Sequence, residues 1–207
     1  MIVKEGKDMM GLIGVKGAII AASLLLAGCV SFGGDVPDQL ITLTPEKTAP
    51  AGNFGGGTAA SAIVVLDPDT DRRLDVTRVP VQIDASTLAY LENAVWVEKP
   101  ARQFRRLLAE TIRAKGGRVV VEGSDVEVAG KTFLSGRLVD MGYDAQVQAV
   151  IVRFDGLLEE KDGVIRSRRF ETEVVGIPAE VASVAPALNE AANDVAAQVA
   201  DWVTGED

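Results

Sequence analysis

The chain has 207 residues, one cysteine, no histidine and a formal net charge of −9 at pH 7. Without histidine it cannot build a Ser-His or Cys-His nucleophilic pair, a histidine general base or a histidine-containing zinc site. Its acidic balance lacks the basic footprint of a general nucleic-acid binder and the polybasic patch of a membrane-surface protein, and a lone cysteine allows no intramolecular disulfide.

The first element is a targeting segment. Lys4, Lys7 and Lys16 precede an uncharged apolar run from Gly17 to Ala27, the order of a secretory signal. As a helix this run would reach only about 16 Å, short of the roughly 30 Å hydrocarbon core of a bilayer. It ends in Leu26-Ala27-Gly28-Cys29, which resembles a bacterial lipoprotein signal. Cleavage is expected before Cys29, so residues 1–28 form the signal peptide. Cys29 then carries acyl chains such as palmitate, and the rest of the chain works outside the cytoplasm. Residues 29–38, with Gly33-Gly34 and Pro37, form a tether to the body of the protein.

One α+β domain is expected over residues 39–207. Leu40, Thr42 and Thr44 alternate with Ile41 and Leu43, predicting a first strand over Gln39–Thr44 that Pro45 ends. Residues 49–61 hold Pro50, Gly52 and Gly55-Gly56-Gly57 and read as a flexible loop. No Lys-Ser/Thr follows these glycines, so they are not a phosphate cradle. Strands are predicted at Ala62–Leu66, Arg78–Asp84 and Thr87–Leu91. A helix begins at Pro100, with Phe104, Leu107, Leu108, Thr111 and Ile112 on one face, and ends at Gly116-Gly117. A short strand at Val119–Val121 is followed by three long ones near Thr132–Tyr143, Gln146–Leu158 and Val164–Val175. Asp162-Gly163 turns the last pair. The apolar positions change parity between Leu138 and Val139, which predicts a bulge between Gly136 and Gly142. A one-sided helix from Ser183 to Val203, with Pro186 in its first turn, closes the chain. The fold class is therefore α+β: a mainly antiparallel sheet with two longer helices packed on one face.

The segments Leu74-Asp75-Val76-Thr77-Arg78-Val79-Pro80-Val81 and Leu88 to Pro100, with Tyr90, Trp96 and Lys99-Pro100, carry a family resemblance. So do Leu40 to Pro45, Phe154-Asp155-Gly156-Leu157-Leu158, Ala187 to Ala191 and Asp201-Trp202-Val203. Together they resemble the ABC-type transport auxiliary lipoproteins, the family that includes the PqiC-type proteins. The resemblance implies a non-enzymatic subunit that works with an MCE-domain protein and an ABC permease and ATPase. Such a subunit helps pass phospholipid or another hydrophobic molecule between membranes. It implies the periplasmic face of the outer membrane as location, with which Val30 and Ser31 after the cysteine agree. A homo-oligomer would suit a ring-shaped partner. A structural lipoprotein of envelope assembly, a carrier with its own lipid cavity and a carboxylate-dependent hydrolase stay open as alternatives.

Cys29 is the lipidation site, and no cofactor is expected beyond the lipid it carries. No catalytic or metal-binding residue stands out. Candidate contacts for a partner or a phospholipid headgroup are Tyr90, Trp96, Arg102, Arg105 and Arg106. Aromatic side chains anchor interfaces, and guanidinium pairs well with phosphate. Each has a plainer reading as core packing or as a solvated helix face. Arg113 belongs with the helical arginines. Arg166, Arg168 and Arg169 form a second basic cluster, and Trp202 is expected in the core.

Overall fold

The structure, a computed structural model, describes residues 39–52, 62–123 and 132–206. The signal peptide, Cys29, the 29–38 tether and Gly55-Gly56-Gly57 lie outside these residues. The domain is α+β, with strands β1 (Ile63–Val65), β2 (Arg78–Gln82), β3 (Leu88–Val95), β4 (Val120–Glu122), β5 (Thr132–Asp144), β6 (Ala149–Glu159) and β7 (Ile165–Val175). Its helices are α1 (Pro100–Lys115) and α2 (Val181–Thr204).

Strands β5, β6 and β7 form an antiparallel meander. Both of its connections are set by local chemistry. After β5, the Asp144 carboxylate accepts the backbone N–H groups of Gln146 and Val147 at 2.8 and 3.4 Å. This Asx-type turn takes up the first residues of the strand expected from Gln146, so β6 starts at Ala149 instead. Between β6 and β7, Glu160 and Val164 close a loop in which Gly163 has φ +84°. The anticipated bulge is present. The β5–β6 register shifts between Leu138 and Asp140, so Val139 is the extra residue and both Leu138 and Met141 are buried.

The other edge of β5 is shared. Its start pairs in parallel with β1, which pairs in parallel with β4, and its end pairs in parallel with β2, which pairs antiparallel with β3. Between them Asp69 bridges Arg137. The sheet is mixed, with its longest pairings antiparallel.

Helix α1 has Pro100 in its first turn, where a missing N–H costs nothing, and stops at Gly116 with φ 78°. Helix α2 starts at Val181, two residues before the expected Ser183, so Pro186 stands inside the helix rather than in its first turn. Proline there cannot donate to the carbonyl of Ala182. One core joins both helices to one face of the sheet, through Phe104, Leu107, Leu138, Val152, Phe154, Phe170, Leu188, Val195, Val199 and Trp202. Phe104 meets Phe154 edge-on and Phe170 meets Trp202 at a tilt, each at 5.4 Å between centroids.

The strand expected over Gln39–Thr44 is a correction. Only Ile41 is strand-paired, in a single parallel bridge to Trp96, and beyond it the backbone leaves the sheet to follow the helices.

Candidate functional site

Residues 41–49 form a strap that is tied to the end of β3 at Ile41 and, beyond it, takes helix side chains as backbone partners. The Ile41 N–H donates to the Val95 carbonyl at 2.8 Å, and the Val97 N–H donates to the Ile41 carbonyl at 2.9 Å. Next, the Leu43 N–H donates to Gln103 Oε1 of α1 at 2.9 Å, and the Thr44 N–H to Asn189 Oδ1 of α2 at 2.7 Å. Asn193 grips the strap twice. Its Oδ1 accepts from the Glu46 N–H at 2.9 Å, and its Nδ2 donates to the Thr44 carbonyl at 2.9 Å. Glu110 of α1 accepts from the Ala49 N–H at 2.9 Å. Gln103 and Asn193 are 2% and 6% exposed. Buried amides this far from water need partners, and the strap supplies them. Sequence reasoning missed these four side chains. The available signal was polarity on an apolar stripe: Gln103 beside Phe104, and Asn193 between Ala192 and Val195.

Alongside the strap runs a groove of about 500 Å³, lined by Leu40 and Thr42 on one side and by Val181, Ala185, Pro186 and Asn189 of α2 on the other. Its lining is mainly apolar, and Leu40 is exposed at its rim.

The predicted contact residues do not converge on one patch. Trp96 is only 1% exposed, so it cannot offer the surface contact considered for it. Its backbone is held between the Ile41 bridge and the Thr77 carbonyl, which accepts the Trp96 N–H at 2.9 Å. Its buried indole N–H meets no acceptor among the described residues. Tyr90 lies opposite Pro80 on the sheet face turned away from the helices, partly exposed, with the Arg78 guanidinium 4.6 Å from its ring centroid. The arginines sit on α1, on the opposite side of the sheet. Arg105 pairs with Asp67 at 3.1 Å and Glu122 at 3.8 Å, Arg106 pairs with Glu98, and Arg113 pairs with Glu110 and Glu122. Arg102 is exposed, with no side-chain partner among the described residues. Of the arginine group, it alone presents an uncompensated charge. Trp202 is buried against Phe170, as expected.

The open sheet face carries a charge network. The Arg169 guanidinium is bidentate to Asp155 at 2.6 and 2.7 Å and holds its carboxyl below the usual carboxylate range. Arg153, through its Nε alone, likewise holds the Glu171 carboxyl below its usual range. Arg153 also reaches Asp140 at 3.8 Å, and Arg73 reaches it at 3.4 Å. Burial still pushes the Asp140 carboxyl up, against the pull of both guanidiniums. At the far end of the helices, Lys115 bridges Asp201 and Glu206, and its ammonium is held charged by those hydrogen bonds. Among the described residues no cluster of cysteine, aspartate or glutamate is arranged to hold a metal ion. Among the same residues no helix is long and apolar enough to cross a membrane.

Comparison with known proteins gives a family and a fold. The family model described as "ABC-type transport auxiliary lipoprotein component" matches residues 42–200. No curated protein matches the sequence. Among solved structures, a DUF330 protein from Xanthomonas campestris superposes with a TM-score of 0.66 at 18% identity, over 81% of this chain and 97% of its own. A second, uncharacterized protein superposes with a TM-score of 0.61 at 14% identity, over 80% and 99% of the two chains. The PelC dodecamer from Paraburkholderia phytofirmans aligns at a TM-score of 0.39 and 14% identity, over 71% of this chain and 92% of its own, too distant to bear on fold or assembly.

Proposed function

The chain belongs to the ABC-type transport auxiliary lipoprotein family, and on that footing we propose that it is a non-enzymatic accessory of an MCE-type ABC transporter. The transporter moves phospholipid or another hydrophobic molecule between membranes. Acyl chains on Cys29 hold the protein at the periplasmic face of the outer membrane, and the folded domain supplies the docking surface for the MCE-domain protein. The observation that carries this reading is the family match across nearly all of the domain. The Lys4, Lys7, Lys16 and Leu26-Ala27-Gly28-Cys29 pattern supports the anchor, and the lack of histidine supports a role without chemistry of its own. The exposed Arg102, the Tyr90–Arg78 pair and the groove beside α2 are the three surfaces on which docking rests in this proposal.

Cys29→Ala tests the anchor. The variant is expected to leave the outer-membrane fraction for the soluble periplasm while its thermal melt stays unchanged. Unaltered fractionation would remove the anchor from the account. Affinity capture of the wild-type protein from detergent-solubilised envelopes is expected to enrich an MCE-domain protein. Enrichment of barrel-assembly or cell-wall components instead would overturn the transport role.

A further inference from the structure

Strand β7 is a long edge, and its charges are arranged for a second copy of itself. Among the described residues it pairs with β6 alone, so its outer N–H and C=O groups form an open ladder. Proteins commonly blunt such edges with charged side chains, a bulge or a proline. Here β7 and β6 pair over all eleven residues without a register shift, and the edge carries both signs in separate halves. Arg166, Arg168 and Arg169 lie before Phe170, and Glu171 and Glu173 lie after it. The most exposed large apolar side chains described are its two ends, Ile165 at 60% and Val175 at 67%.

The open face makes the pattern specific. Across the sheet, one row runs Asp69, Arg137, Asp155, Arg169, alternating in sign and ending at the edge on a cation. The adjacent row runs Asp140, Arg153, Glu171 and ends on an anion.

We propose that two copies join edge to edge through antiparallel β7 strands about a two-fold axis at Phe170, making one continuous sheet. In that register Arg169 faces Glu171 of the second copy, twice over. Each cationic row then continues into the other copy's anionic row without a break in alternation. Ile165 faces Val175, again twice. Isologous symmetry demands this kind of self-complementarity. Other registers lose it. Centring on Thr172 sets Glu171 against Glu173, a like-charge pair that destabilises. Centring on Arg168 sets Arg169 against Ser167 and Glu171 against Ile165. A shift by one residue would turn open-face side chains to the core side.

The test uses the full chain in detergent, with Cys29→Ser so that the introduced thiols are alone. Ile165→Cys and Val175→Cys are exposed and leave the core intact. When the two variants are mixed and oxidised, a disulfide-linked dimer is expected. Neither variant alone should crosslink, because identical positions at the strand ends would lie about 34 Å apart along the ladder at roughly 3.4 Å per residue. The double variant should give a covalent dimer and nothing larger. Adding Glu171→Lys, which sets cation against cation at both symmetric contacts, should cut the crosslinked yield about tenfold, with folding checked by circular dichroism. No crosslink in the mixture, crosslinking by either variant alone, or a covalent ladder from the double variant would each overturn the proposal.

Discussion

Asn193 shows how much one buried amide can organise. It accepts from the Glu46 N–H and donates both to the Thr44 carbonyl and to the Asn189 carbonyl at 2.8 Å, so it ties the strap to α2 across 149 residues of sequence. Asn193→Ala strips these bonds and leaves two strap backbone groups without partners, at a cost of about 1–3 kcal/mol. Urea unfolding is expected to show that loss, and trypsin should cut faster at Lys47, in the strap. Single residues were the least legible part of this sequence. Trp96 reads first as core or rim packing and second as a docking contact, and the sequence cannot decide between them, because a side chain's exposure depends on which segments cross it. The segment that does so at Trp96, around Ile41, is distant in sequence. The α1 arginines looked like a basic face, but Glu98, Asp67 and Glu122, which neutralise most of them, come from outside the helix.

At the scale of elements, the meander depends on glycines where strands would normally carry side chains. Gly136 of β5 faces Gly156 of β6 and has φ +148°. A Cβ there would run into the Asp155 carbonyl oxygen and the Phe154 ring. Gly136→Ala is therefore expected to destabilise by roughly 2–4 kcal/mol, from backbone strain added to overpacking, seen as a lowered denaturation midpoint. A Ser135→Ala control on the same strand should change little. The long elements could be read directly. The 3.6 and 2 periodicities of α1, α2 and β5 to β7 persist over enough residues to be unambiguous, and even the Val139 bulge left its mark as a change of parity. The short ones could not. A three-residue run such as Ile63–Val65 is apolar whichever neighbour it joins, so nothing local announced that β1 and β2 would lie parallel along opposite ends of β5. The strap misled for a related reason. Leu40 to Thr44 alternates as a strand does, but past Ile41 its hydrogen-bonding partners are side chains 60 residues or more away.

Across the whole molecule, the charge network makes stability depend on pH in two opposing ways. Asp155 and Glu171 have folded values depressed by Arg169 and Arg153, so each stabilises at neutral pH and loses that contribution as pH falls through its folded value. Asp140, raised by burial, runs the other way. Its contribution is present at acid pH and is lost as pH rises through the folded value. Calorimetry is expected to show Asp155→Asn melting below wild type at pH 7, the gap closing as pH drops below about 4. The wild-type margin over Asp140→Asn should instead widen on acidification. The strap has a mechanical consequence as well. Any load arriving from upstream of Gln39 enters the body at Ile41 and meets the Gln103, Asn189, Asn193 and Glu110 hooks one after another. Once the Ile41 bridge to the end of β3 has parted, such hooks yield in turn, like stitches, and take the load in place of the sheet. The protein can thus lengthen its reach by the span of the strap while its folded body stays whole.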